Sequence, residues 1–320
     1  MTWKTWSENT EILAASRMNI DDKPRLIVIT GPTAVGKTSV SVALAKQLST
    51  SVLSADSRQF YREMRIGTAT PKPEELDNVP HYFIGNLSVN EDYNASRFEE
   101  EALKLLEKLF SLNNKTVILT GGSGLYINAL CRGIDDLPDP DLSLREKLKE
   151  YLEKGGTLAL GEMLKAKDPA YYEEVDKANP KRLLRALEVC LTTGKPYSSF
   201  RRNKTKDRFF KVVKIGLYRE REELNNRINQ RVDHMMEEGL LEEVRSLVPY
   251  RHLNALNTVG YKELFRYLDG VISLDQAVTD IKTNSRRYAK RQMTWFRKDQ
   301  EIHWADANNL TLIRSLCGLR

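Results

Sequence analysis

The eight residues Gly31-Pro32-Thr33-Ala34-Val35-Gly36-Lys37-Thr38 satisfy the pattern G-x-x-x-x-G-K-[ST] in full. Few patterns restrict a fold so strongly. The glycines let the backbone curl until successive N–H groups point at one anion. A helix starting near the lysine adds the positive end of its dipole. The pattern carries this meaning only between a strand and a helix, and both are legible here. Leu26-Ile27-Val28-Ile29 is a short apolar run rich in β-branched residues, which reads as a strand buried on both faces. Thr38 to Leu48 follows at helical spacing. Lys37 supplies a mobile cation, and the Thr38 hydroxyl is placed to ligate Mg²⁺. A di- or triphosphate site on a parallel sheet is therefore predicted.

The strand–turn–helix unit recurs. Ser51 to Ala55 reads as a second strand, ending at Asp56. Phe98 to Phe110 reads as a helix with Ala102, Leu103, Leu106, Leu109 and Phe110 as its apolar positions. Thr116 to Thr120 is a third strand, followed by Gly121-Gly122 and a helix from Leu125. The repetition predicts an α/β fold with a P-loop NTPase-like parallel sheet core. After Gly133 the pattern changes. Pro138 and Pro140 mark a boundary, and Ser143 to about Thr193 is helical only. Ser199 to Lys214 is strongly basic, with Arg201, Arg202, Lys204, Lys206, Arg208, Lys211 and Lys214. A strand over 210–217, a long helix from Glu220 that breaks near Gly239, and a short strand at Ile302-His303-Trp304 complete the reading. The expected organisation is an N-terminal extension over 1–24, a catalytic core of 25–133 plus 206–320, and an α-helical insertion over 134–205.

A phosphate loop does not say what becomes of the phosphate. An ATPase or GTPase normally shows a strand ending in Asp to hold the metal. The best such strand here ends in Thr120 and Gly121, which weakens that reading. Asp56 is the carboxylate expected to face the loop, because ligands sit at strand C-terminal ends. Lys and Arg number 50 against 44 Asp and Glu, a formal charge of +6. That permits a polyanionic partner without demanding one. Cys131, Cys190 and Cys317 are far apart and odd in number, and His81, His234, His252 and His303 are scattered. Neither a disulfide framework nor a zinc site is readable. The first 24 residues, with Trp3 and Trp6, lack the apolar stretch of a secretory signal, and no stretch resembles a membrane span. A cytoplasmic monomer is the default expectation.

Several blocks together are more specific than the loop. Ser54-Ala55-Asp56-Ser57-Arg58-Gln59 with Tyr61, Met64 to Ala69, and Pro80-His81 follow the loop in order. Gly121 to Tyr126, Asn179 to Glu188, Val259 to Glu263 and Lys290 to Arg297 come after them. The series, over residues 25–305, resembles the bacterial tRNA dimethylallyltransferase family, also called tRNA isopentenyltransferases. The resemblance implies that a dimethylallyl group passes from dimethylallyl diphosphate to the exocyclic N6 amine of the adenosine 3′-adjacent to the anticodon, releasing diphosphate. The phosphate loop would then hold the donor's diphosphate, with Mg²⁺ as cofactor.

The same resemblance implies residue roles. Asp56 matches the family's catalytic carboxylate, Thr33 faces the reacting carbon and leaving oxygen, and Arg231 matches an arginine that reaches the donor. The acceptor pocket is matched by Asp56, Ser57, Arg58 and Gln59. Further tRNA positions are Ser123 and Arg145; Lys181, Arg182, Leu183, Leu184 and Arg185; Gly260, Tyr261 and Lys262; and Lys290, Arg291, Gln292, Thr294, Trp295 and Arg297. The anticodon stem-loop is the implied partner. Residue patterns alone say less. Arg227, Arg231 and His234 share a helix face, and on pattern alone Arg227 and Arg231 read as solvated residues paired with glutamates. Two further stripes suit RNA: Arg182 with Arg185, opposite Leu183, Leu184, Leu187 and Leu191, and Arg287 with Arg291 and Lys298. Each of these two alone fits a solvated face as well as an RNA contact. Two alternatives remain on residues alone: a small-molecule P-loop kinase with a helical lid, and a non-catalytic RNA-binding protein with a nucleotide switch.

Overall fold

The computed structural model describes residues 23–112, 115–135, 137–138, 141–201 and 204–319. Trp3, Trp6, Pro140 and Arg202 lie outside the described residues. In chain order the elements begin β1 (Arg25–Thr30), α1 (Lys37–Leu48), β2 (Val52–Ser54), α2 (Pro73–Leu76), β3 (His81–Tyr82), α3 (Ala95–Ser111), β4 (Thr116–Gly121) and α4 (Gly124–Arg132). Three helices follow: α5 (Leu142–Lys167), α6 (Pro169–Glu174) and α7 (Pro180–Thr193). The chain ends with β5 (Lys211–Tyr218), α8 (Arg221–Glu237), α9 (Leu240–Ser246), α10 (Tyr261–Leu268), α11 (Leu274–Phe296), β6 (Ile302–Asp306) and α12 (Leu310–Leu316). Two compact units result: one runs to Cys131 and resumes at Arg208, the other is Arg132–Asp207.

The first unit is an α/β layer structure of the P-loop NTPase-like class. Among the described residues its sheet has six strands, all parallel, in the order β3-β2-β4-β1-β5-β6. β1 is central, pairing Leu26 with Val117 of β4 on one side and with Val212 of β5 on the other. Its interior residues Leu26 to Ile29 are fully buried. Successive side chains go to opposite faces. Leu26 and Val28 join the cluster of Phe60, Phe98 and Leu106, while Ile27 and Ile29 join that of Val42, Leu44 and Ile215. Helices therefore cover both faces, as a parallel sheet requires. The chain leaves β1 for β2, which lies beyond β4. The loop after β1, Asp56 after β2 and Gly122 after β4 then meet at one edge of the sheet, where open α/β folds place ligands.

Two elements escape the sequence reading. β3 is two residues long, pairing His81 with Val52 and Tyr82 with Leu53, too short to show alternation. α2 is a single turn opened by a proline. The break expected near Gly239 is real: this residue sits at φ 96° as the N-cap of α9, a conformation glycine adopts without strain.

The second unit packs α5 against α6 and α7 around Leu148, Leu160, Leu164, Tyr171, Leu183 and Leu187. α5 is two helical pieces joined at Gly156, at φ 66°. Buried Asp168 ties the unit's chain segments: it accepts from Tyr171 N–H at 3.0 Å and from Ser198 N–H at 2.6 Å.

Gly121 closes β4 where two chains approach tightly. A Cβ there would stand 2.3 Å from the Ala55 carbonyl oxygen. Gly121→Ala is expected to destabilise the protein by ~1–3 kcal/mol, read as a lowered urea midpoint with an unchanged slope.

Candidate active site

The phosphate loop is built before any ligand arrives. Gly36 at φ 109° ends it, α1 begins at Lys37, and a Cβ on Gly31 would meet the Leu217 carbonyl oxygen at 2.6 Å. From outside, Arg227 Nε donates to the Ala34 carbonyl at 2.8 Å and Arg219 Nε to that of Val35 at 2.7 Å. On the third side, buried Gln292 accepts from Thr33 N–H at 2.9 Å and donates through Nε2 to the Gly122 carbonyl at 2.9 Å. α11 thus locks the loop to the end of β4. Loop amides so fixed lose little entropy when an anion binds.

Lys37 Nζ donates to the carbonyls of Gly31 at 3.1 Å and Pro32 at 2.9 Å. Burial lowers its pKa to about 8; Asp56 opposes this and Arg231 adds to it. Arg231 Nη1 donates to Thr33 Oγ1 at 3.3 Å, and burial followed by the Arg227 charge lowers its pKa as well. Positive charge is therefore concentrated at an enclosed point, an arrangement that calls for a polyanion.

Asp56 follows β2. Arg58 N–H donates to its Oδ1 at 3.1 Å, closing a turn. The turn is pinned by Ser57 N–H donating to Ser123 Oγ at 2.9 Å and by Gln59 Nε2 donating to the carbonyls of Thr68 at 3.2 Å and Ala69 at 3.0 Å. Asp56, Thr33 and Arg231 line one cavity of about 110 Å³. The structure thus brings together the three residues assigned to the chemistry. His234, on the same sequence-predicted face as Arg231, instead lies against Glu237 and Glu238.

The residues assigned to RNA divide into two groups. On α11 and at its C-cap, Lys290, Arg291, Thr294, Trp295 and Arg297 are exposed. Arg287, Lys290 and Arg297 also line a groove of about 780 Å³ together with Arg219, Arg221 and Arg286. The Trp295 ring rests over Gly124, where a Cβ would come within 2.1 Å of the indole nitrogen. Ser57, Arg58, Gln59 and Ser123 sit partly buried around the Asp56 turn, and Lys262 is exposed. Gly260 caps α10 at φ 95°. Tyr261 is fully buried and donates its hydroxyl to Glu243 Oε1 at 2.6 Å. In the second unit Lys181 and Arg182 are exposed, Leu184 is partly buried and Leu183 is fully buried. Arg145 and Arg185 both donate to the buried carboxylate of Glu188, at 2.9 and 2.7 Å. Leu183, Tyr261 and Gln292 therefore hold structure rather than present a surface.

One cavity residue and one support behind the cavity wall are absent from the sequence reading. Tyr288 lines the cavity with Asp56, and Arg291 stands over its ring at 5.7 Å. Glu243 accepts from three successive N–H groups, those of Arg65, Ile66 and Gly67, at 2.8, 2.8 and 3.0 Å. Nothing in a Glu on an amphipathic helix announces this. Among the described residues no group of three His, Cys, Asp or Glu could hold a metal, and no helix is long and apolar enough to cross a membrane.

Fold and site together define a P-loop α/β protein whose phosphate cradle opens on a small cavity bearing one carboxylate. Comparison with known proteins narrows that class. The family model described as IPP transferase matches residues 59–299. A tRNA dimethylallyltransferase 1 of Bacteroides thetaiotaomicron is 54% identical over 281 residues, covering 88% of this chain and 91% of that one. The solved structure of a tRNA isopentenylpyrophosphate transferase from Bacillus halodurans superposes with a TM-score of 0.68 at 38% identity, covering 92% of this chain and 96% of that one. A eukaryotic dimethylallyltransferase acting on tRNA superposes with a TM-score of 0.75 at 26% identity, covering 92% and 77%. The chain belongs to the IPP transferase family.

Lys37 generates a pH prediction. Below its pKa of about 8 the amine is charged and binding needs no proton. A bound diphosphate raises that pKa, so above about 8 binding must take up a proton. Diphosphate affinity should therefore hold from pH 6.5 to 7.5 and fall by up to about tenfold per pH unit above 8. Calorimetry in buffers of different ionisation heat checks both the fall and the proton uptake.

Proposed function

We propose that this chain transfers a dimethylallyl group from dimethylallyl diphosphate to the exocyclic N6 amine of the adenosine 3′-adjacent to the anticodon of tRNA, releasing diphosphate. The observation that carries the reading is the meeting of Thr33, Arg231 and Asp56 in one cavity, in a member of this family. The N6 lone pair bonds to C1 of the donor. The C1–O bond breaks, and its electron pair leaves on the diphosphate. The amine proton passes to Asp56, which acts as the general base.

Charge growing on the diphosphate is met by the amides of Ala34 and of Gly36 to Thr38 and by Lys37, which exchanges its loop carbonyls for phosphate oxygens. Arg231 reaches the leaving oxygen beside Thr33. A divalent metal fits this donor set. The Thr38 hydroxyl stands at the start of α1, and a hydroxyl completed by diphosphate oxygens and water suits Mg²⁺. When bound, that ion adds positive charge at the leaving group.

The acceptor base must leave its stack to reach an enclosed carbon. Ser57, Arg58 and Gln59 shape the mouth through which it enters. The exposed cations of α11 and the ring of Trp295 offer phosphate and stacking contacts to the anticodon stem-loop. Lys181, Arg182, Arg145 and Arg185 offer the same from residues 134–205, which we assign as the tRNA-binding insertion. The protein acts in the cytoplasm, where tRNA is modified. The kinase alternative explains the loop but not this RNA surface, and family membership disfavours it.

Labelled dimethylallyl diphosphate, Mg²⁺ and unmodified tRNA provide the test. Asp56→Asn should slow transfer by about 10²–10⁴-fold while leaving diphosphate affinity in place. Lys37→Ala should abolish transfer and diphosphate binding together. Full turnover by Asp56→Asn would contradict the base assignment, and ATP consumed without label in RNA would contradict the reaction.

A further inference from the structure

The cavity beside Asp56 has both polar and apolar walls. Thr33, Asp56 and Arg231 line it, and so do Val232, Met235, Val259 and Ile281. α8 supplies both. Arg231 reaches Thr33, and Met235 lies four residues further on, about 6 Å along the helix axis. Its side chain leans back towards the helix N-terminus, as helical side chains do, and so faces the space that Arg231 leaves.

The transfer has a geometric demand. Nitrogen, C1 and leaving oxygen must lie close to one line. The rest of the prenyl chain then leaves C1 to the side of that line and needs a compartment of its own. That chain is the apolar part of the donor, and the apolar lining residues of the cavity are its match. A dimethylallyl group reaches about 4 Å beyond C1, three bonds of ~1.5 Å each. A ten-carbon geranyl group reaches about twice as far. It would pass the level of Met235 and run into the packed cluster to which Met235, Val259 and Ile281 belong.

The walls are not free to retreat. Glu243 holds the Arg65–Gly67 turn through three N–H groups, and Gly67 is pressed to the Tyr261 ring, where a Cβ would stand 2.6 Å away. The cavity holds only about 110 Å³. We infer that Met235 and Val259 form the floor that sets prenyl length, admitting a five-carbon donor and refusing a ten-carbon one; this rests on the transfer reading above.

The test is transfer of label from dimethylallyl and geranyl diphosphate to unmodified tRNA, with kcat/KM measured for each. Wild-type enzyme should favour the five-carbon donor by more than 100-fold. Met235→Ala, and Val259→Ala independently, should narrow that preference at least tenfold. Met235→Phe should raise the dimethylallyl KM while diphosphate affinity, set at the loop, stays constant. An unchanged preference in either alanine variant that still binds diphosphate overturns the floor, as does a Met235→Phe enzyme with wild-type KM. A wild-type enzyme that transfers neither group overturns the transfer reading, and the floor with it.

Discussion

Four cations, Lys37, Arg219, Arg227 and Arg231, are gathered around one loop, with Asp56 the carboxylate that lines the cavity beside it. Concentrating like charge in an enclosed place is unfavourable unless an anion answers it. The rest of the first unit can be understood as the apparatus that maintains this arrangement. β1 delivers the loop from the centre of the sheet, α8 brings two arginines against it, and α11 inserts Gln292 to hold it to β4. A diphosphate is the natural answer to that charge, and the energy of answering it is available to drive a leaving group off carbon.

The fold was readable where local pattern and tertiary demand agree. Leu26 to Ile29 is apolar at every position because β1 is covered on both faces, and Val117 to Leu119 of β4 share that property. β3 was not readable because His81 and Tyr82 form a strand through their partners in β2 and through nothing in their own sequence. Strand ends drift by a residue for a similar reason: Ala55 reads as strand but lies beyond β2, still donating to the Thr120 carbonyl at 2.7 Å.

The site divides the same way. The loop is a contiguous pattern with a strict meaning, so its residues could be named from sequence. The approach of Arg231 to Thr33 spans 198 positions, and spacing on α8 shows only that Arg227 and Arg231 share a face. Family resemblance supplied the link, and with it some residues of a different kind. Leu183, Tyr261 and Gln292 sit inside RNA-associated blocks yet are buried; a block is shared as a whole, and the residues that hold its shape travel with those that touch a ligand. Glu243 shows the opposite failure. Its partners are backbone amides, which leave no trace in side-chain pattern.

Apolar wall, carboxylate and phosphate cradle are the parts the proposed transfer needs: a carbon electrophile held on its diphosphate while an amine approaches from a nucleic acid. The most direct measurement is the mass of the nucleosides in tRNA incubated with the purified protein, dimethylallyl diphosphate and Mg²⁺, mapped by nuclease digestion. The account predicts one dimethylallyl group on the base of the adenosine that follows the anticodon. An unmodified adenosine there, or the group found on a ribose or another base, would contradict it.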